Sequence, residues 1–248
     1  MTAEHSVTGA QFLAHEALRE SQVDMINDGL EAVSKGGFLF ANAPTGIGKT
    51  AASLSAALTV SRQNPGQHVL FMTGRQSQHK IVVETVRNIN ARLPESEVPV
   101  TLVDMIGRES MCEYVDRTTG KCSCEQGIPE SERHNRRFAL VQEILSHPQH
   151  VDFSIEFASK RRICAWAAAR QAAADADILV CDYNHVFLES VRKASLPSMG
   201  IELENSIIIV DEAHNLPNRI RRSLNLNLNF KIIRDAIIEL QEYCEMNE

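Results

Sequence analysis

The stretch ANAPTGIGKT, residues 41–50, decides how the rest of the chain is read. The apolar run Phe38-Leu39-Phe40-Ala41 leads into it and reads as a buried strand, and AASLSAALTVS leads out of it and reads as a helix. A strand, a glycine-containing loop and a helix in that order form the setting of a phosphate-binding loop. Gly46 and Gly48 let backbone N–H groups converge on phosphate oxygens with no Cβ in the way, Lys49 places a point charge at the β and γ phosphates, and Thr50 offers a hydroxyl to Mg²⁺. Ala43 stands where the usual G-x-x-x-x-G-K-[ST] pattern starts with glycine. The run Ala43, Pro44, Thr45, Gly46, Ile47, Gly48, Lys49, Thr50 is therefore expected to bind ATP, the alternative being a strand-to-helix turn that holds Gly-Lys-Thr by chance.

Working outward, residues 10–34 carry apolar positions at helical spacing and end at Gly36-Gly37. After the loop and its helix, HVLFMT reads as a strand, SQHKIVVETVRNINARL as a helix and VPVTLVDM as a third strand. That rhythm predicts an α/β fold with a parallel sheet flanked by helices. From Gly107 to about Arg161 the rhythm breaks into a polar, irregular insertion. It returns with the helix AWAAARQAAADA, the strand DILVCD, a short helix around NHVFLES and the strand SIIIV, which runs into Asp211-Glu212-Ala213-His214. A basic helix bearing Arg219, Arg221 and Arg222 and a last helix FKIIRDAIIELQEYC follow.

The SIIIV run reads as a strand buried on both faces, and acids at its carboxyl end lie where parallel sheets bind ligands. Asp211 would hold Mg²⁺ through its water shell and Glu212 would orient the attacking water; an ordinary acidic helix start is the plainer reading of the same residues. Gln22 presents an amide donor and acceptor, as reading an adenine edge requires, or is a surface glutamine.

A chain of 248 residues with 44% hydrophobic residues can bury a full core. It has neither a run of about 18 apolar residues nor a basic, apolar leader, so no membrane association and a cytoplasmic address are expected. The net charge of −7 excludes nucleic-acid binding by overall electrostatics, so contact with DNA has to be local. Four of the six cysteines, Cys112, Cys122, Cys124 and Cys164, cluster in and beside the insertion, which points to a metal more than to disulfides. Four thiolates suit tetrahedral zinc or a [4Fe-4S] cluster; the single residue between Cys122 and Cys124 fits zinc spacing poorly. Cys181 reads as a small buried hydrophobe. The basic residues Arg108, Arg133, Arg136, Arg137, Lys160, Arg161 and Arg162 form either a solvated surface or a phosphate-contacting rim, with Tyr114 and Trp166 as stacking platforms.

Taken together, RESQVDM, APTGIGKT and VDEAH resemble the first motor domain of superfamily 2 helicases, in which the Ala-Pro-Thr-Gly form of the loop is common. GRESMC, Cys122, Cys124 and CAWAAARQAAADADILVCDYNHVF are similar to the XPD-type, iron-sulfur DNA helicases, the relatives of XPD, FancJ and DinG. The resemblance implies a RecA-like domain with an inserted iron-sulfur domain, and places Gln22 in the adenine-reading motif. It places Thr73, Arg75 and Gln78 where the DNA backbone is contacted, a polar loop after a strand being the other reading of residues 73–78; Arg108, from the basic rim, is a further candidate DNA contact. It implies [4Fe-4S] ligation by Cys112, Cys122, Cys124 and Cys164, although the Cys122–Cys124 spacing and the Cys-Ala-Trp sequence depart from the family's habit.

The expected organisation is residues 1–104 and 165–225 as the two parts of the motor domain, 105–164 as the iron-sulfur insertion and 226–248 as the start of an arch-like helical insertion. The expected function is ATP-dependent movement 5′ to 3′ on single-stranded or forked DNA in repair, by a monomer that is cytoplasmic and nucleoid-associated, or nuclear. A second motor domain, which this sequence does not contain, would complete the ATP site with an arginine. The competing expectation is a nucleotide-dependent adaptor whose metal site is structural and whose ATP is never hydrolysed.

Overall fold

Nearly every position of four short strands is apolar, as strands buried in a parallel sheet require. They are β1 (His68–Met72), β2 (Leu102–Asp104), β3 (Ile178–Cys181) and β4 (Ser206–Val210), and in the computed structural model they form one parallel sheet in the order β2-β3-β1-β4. The structure describes residues 9–116, 119, 121–225 and 230–246. Val69 lies opposite Ile178 and Ile207, and Phe71 opposite Val180 and Ile209, so alternate residues of neighbouring strands share one face. That face packs with Leu54 and Leu58 of α2 (Lys49–Ser61) and Val82, Val86 and Ile89 of α3 (Gln76–Asn90). Each such fully buried side chain contributes about 1.5–3 kcal/mol.

Helix α1 (Glu20–Ser34) packs on α2. The insertion begins with α4 (Arg108–Met111) and contains α5 (Glu130–Ser146) and α6 (Val151–Arg161). Helix α7 (Ala165–Ala173) then packs against α5, α6 and β2, with Ala168, Ala169 and Ala172 fully buried so that the helix backbones approach closely. Short helices α8 (Asn184–Phe187) and α9 (Glu189–Ser195) lead to β4. The chain forms two compact units, Met1–Ala213 and His214–Glu248. The second holds α10 (Leu216–Leu224), with Arg219, Arg221 and Arg222, and α11 (Phe230–Met246); residues 226–229, where the arch-like segment is expected to begin, lie outside the described residues.

Four expectations are corrected. Helix α1 starts at Glu20, not near residue 10, because the Gln22 side chain turns back there to accept the Arg19 N–H; Phe12 is buried from an irregular segment instead. Phe38–Ala41 joins no ladder, and Phe38 and Phe40 are 90% and 92% exposed: an apolar run becomes a strand only where a partner takes up its N–H and C=O groups. For the same reason β4, an edge strand among the described residues, is not buried on both faces, and Ile208 is 38% exposed. The insertion is not irregular, since α5 and α6 occupy much of it. Only Leu140, Val141 and Ile144 of α5 are buried, too short a stripe to stand out within a polar helix.

A buried polar tie joins the insertion to the sheet. His79 Nδ1 of α3 lies 2.5 Å from Asp104 Oδ1 of β2, and Asp104 Oδ2 accepts the Val151 N–H at the start of α6, 2.8 Å away. Both side chains of the pair are nearly inaccessible. Asp104→Ala leaves two buried polar groups without their partner, so a loss of about 2–5 kcal/mol is expected. Urea unfolding measures it; a loss under about 0.5 kcal/mol would show that this carboxylate ties nothing.

Candidate nucleotide site and cysteine cluster

The parallel register sets the carboxyl ends of β1, β3 and β4 side by side, since Met72 lies opposite both Cys181 and Val210. The residues that follow these strands, Thr73, Asp182 and Asp211, therefore meet at one edge of the sheet. Backbone bonds continue the strands there: the Thr73 N–H donates to Cys181 O at 3.1 Å and the Asp211 N–H to Met72 O at 2.9 Å. The Thr73 hydroxyl donates to Asp211 Oδ2 at 3.4 Å. Burial, then the charge of Glu212, raises the Asp211 carboxyl above the ordinary range; the Thr73 bond and the charge of Lys49 oppose that rise. Lys49 and Asp211 thus sense each other across the site, as a phosphate-and-magnesium site needs.

Gly46 and Gly48 both have positive φ, 83° and 88°, and Gly48 caps α2 in the left-handed region. Lys49 Nζ donates to Ala43 O at 3.0 Å, which curls the loop around its own ammonium group. Pro44, Thr45 and Gly46 face solvent, while Ala43, Ile47, Gly48, Lys49 and Thr50 are half-buried. Gln22 is buried beneath the loop: its Oε1 accepts the Arg19 N–H at 3.0 Å, and a Cβ on Gly48 would lie 2.1 Å from its Nε2. Glycine at 48 is thus demanded twice, by φ and by Gln22. Arg19, which sequence reading passed over, donates through its guanidinium to Gly46 O; its only sequence signal is the three-residue capping spacing to Gln22.

The cysteines converge from three segments. An isolated antiparallel bridge between Val115 and Cys122 folds the chain back, so that Cys122 Sγ lies 3.0 Å from Cys112 Sγ and 2.9 Å from Cys124 Sγ. Sulfur atoms of Cys112, Cys122 and Cys124 all lie within 4.8 Å of one another, in an arrangement able to hold a metal. Cys164 joins them through a hydrogen bond with Cys124, and all four are free thiols. That bond, with the Ala167 N–H at the start of α7, lowers the Cys164 thiol to about 6 against its burial, whereas burial pushes Cys112 up to about 11. Glu125, missed in the sequence, pairs bidentately with Arg137 and accepts the Cys164 N–H at 3.0 Å; burial raises its pKa, but the Arg137 pairing outweighs that and keeps it low. Cys181 is fully buried in β3, away from these sulfurs in the strand, and burial raises its thiol.

Much of the basic rim is neutralised at home. Arg136 pairs with Glu132, Arg137 with Glu125 and Lys160 with Glu156, while Arg161 stacks on Phe157 and Arg162 donates to Gln126 O. Arg108 differs. It lies 3.8 Å from the centre of the Trp166 ring, and Arg170, absent from the sequence expectations, lies 4.3 Å from it. Two guanidinium groups on one indole repel each other, and burial, then Arg108, lowers the Arg170 pKa. Such a pair is suited to an anion. Tyr114 is exposed and Trp166 half-buried. Of the residues after β1, Thr73 is turned inward to Asp211, Arg75 is exposed and Gln78 half-buried.

Residues 73–233 match the DEAD_2 family. The chain is similar to the ATP-dependent DNA helicase chl1 of Schizosaccharomyces pombe, 23% identical over 189 residues, which are 71% of this chain and 22% of that protein. It is also similar to the general transcription and DNA repair factor IIH helicase subunit XPD of Dictyostelium discoideum, 22% identical over 230 residues, covering 82% of this chain and 28% of that one. Among solved structures it superposes on an XPD helicase with a TM-score of 0.58 at 21% identity, over 82% of this chain and 34% of that chain. The chain thus spans well under half the length of these proteins.

Proposed function

Because the chain belongs to the DEAD_2 family, the N-terminal motor domain of XPD-type superfamily 2 helicases, we propose that it is the ATP-binding domain of a helicase that hydrolyses ATP to move 5′ to 3′ along single-stranded DNA in repair. The observation that carries this reading is the meeting of Lys49, Thr73 and Asp211 at the carboxyl edge of the sheet, beside a loop with two positive-φ glycines. In it, backbone N–H groups of residues 45–50 cradle the phosphates and Lys49 neutralises charge on the β and γ phosphates. Thr50 and Asp211 would hold Mg²⁺, which when bound offsets charge on the transferred phosphoryl group. Glu212 orients the attacking water, and Gln22 both supports the loop and lies where an adenine edge is read. A second motor domain supplies the remaining arginine.

The four thiols fit a soft metal centre, and Cys112, Cys122, Cys124 and Cys164 would hold a [4Fe-4S] cluster that fastens the start of the insertion to α7. DNA is contacted by Arg75 and Gln78, with Thr73 linking that segment to Asp211, and by the Arg108–Trp166–Arg170 stack. Contact of this local kind suits a chain of net charge −7. No helix among the described residues is long and apolar enough to cross a membrane. Strand separation by the full-length protein tests the proposal: a duplex with a 5′ single-stranded tail should be opened with ATP and Mg²⁺, and one with only a 3′ tail should not. Opening of neither duplex would favour the adaptor reading.

A further inference from the structure

Tyr183 has no part in the roles assigned so far, yet it occupies the space between the loop after β1 and the acids after β4. It is almost wholly buried, two residues past the end of β3, the strand that lies between β1 and β2. The phenol oxygen accepts the Gly74 N–H, and its proton goes to Asp211 O at 2.5 Å, with Glu212 O a second acceptor at 3.5 Å. The ring leaves no slack on the other side: a Cβ on Gly74 would lie 3.1 Å from Tyr183 Cε2. Glu212 has a φ of 50°, one of two positive-φ residues other than glycine among the described residues, so its backbone is held in a conformation that costs energy.

From this the geometry points to Tyr183 as a positioning residue that makes hydrolysis at Glu212 answer to the Thr73–Gln78 segment. A displacement of Gly74 has to move the phenol, because donor and ring edge both touch it. The single hydroxyl proton can serve the Asp211 carbonyl or the Glu212 carbonyl, and the choice alters how the strained peptide between them is held. Two discrete acceptors provide the two arrangements that coupling between sites requires. Thr73, bonded to the Asp211 carboxylate, pulls from the same loop on the same residue. Ligand contact at residues 73–78 and water orientation at Glu212 are thereby joined through one buried ring.

The inference rests on the ATP-hydrolysing reading, and the test separates the two. In the full-length protein, Tyr183→Phe keeps the ring and removes the hydroxyl. The maximal ATP turnover at saturating single-stranded DNA is expected to fall about three- to tenfold, with the ATP KM and the DNA concentration for half-maximal stimulation within about twofold of the parent. Gly74→Ala, which presses on the ring from the other side, should lower the same maximal rate. Unchanged maximal turnover in Tyr183→Phe overturns the inference. So does a loss of kcat that comes with equal changes in KM and thermal stability, the mark of a merely structural tyrosine. Lys49→Ala, run alongside, reports on the underlying reading: if it turns ATP over normally, the nucleotide site is wrongly assigned, and the role of Tyr183 falls with it.

Discussion

Lys49→Ala in the full-length protein is expected to lower ATP turnover about 10²–10³-fold, the usual effect of removing one group that stabilises charge developing in the transition state. The side chain now bonds Ala43 O, and its charge lowers the Asp211 pKa, so its loss removes both the loop's internal tie and that charge. Phosphate release measures the rate, and far-UV circular dichroism shows whether α2 survives. The helix should survive, because its cap is the Gly48 backbone and its packing comes from Leu54 and Leu58. Normal turnover in a folded variant would contradict the assignment of the phosphate loop.

The second large effect is expected at the cysteines. The full-length protein purified without oxygen should carry about four iron and four acid-labile sulfide per chain, as a cubane requires. Cys164→Ser should abolish both, since the residue caps the start of α7 and is bonded to Cys124. Losing the cluster also unfastens residues 112–124 from α7, so proteolysis within 105–164 should accelerate while nucleotide binding persists, even though the Glu125 bond to the backbone N–H of residue 164 is retained. Stoichiometric zinc in place of iron would keep the thiol site and refute the cluster.

Much of this was legible because the chemistry is local in sequence. The strands HVLFM, ILVC and SIIIV appear where apolar, β-branched runs predict them, and the α/β alternation implies the parallel sheet they form. Lys49, Thr50, Asp211 and the four cysteines are named by their motifs before any coordinate is known. What the sequence hides is non-local. Phe38–Ala41 has the composition of a strand, but pairing depends on a neighbour that composition does not specify. Gln22 presents itself as a free amide, whereas folding buries it against Gly48 and Arg19. Tyr183 and the His79–Asp104 tie lack any motif, because their partners are distant along the chain, and Arg170 lies one helical turn from Trp166 with no motif to single it out. The basic rim misleads for the opposite reason: its charges are counted easily, while the glutamates at helical spacing that neutralise them are overlooked.

The most direct measurement is steady-state ATP turnover by the full-length protein with Mg²⁺, compared with and without saturating single-stranded DNA. Turnover that rises at least about tenfold on adding DNA, and is lost with Lys49→Ala, is the result this account predicts. Tight nucleotide binding with no hydrolysis under either condition would contradict it and leave a nucleotide-gated adaptor in its place.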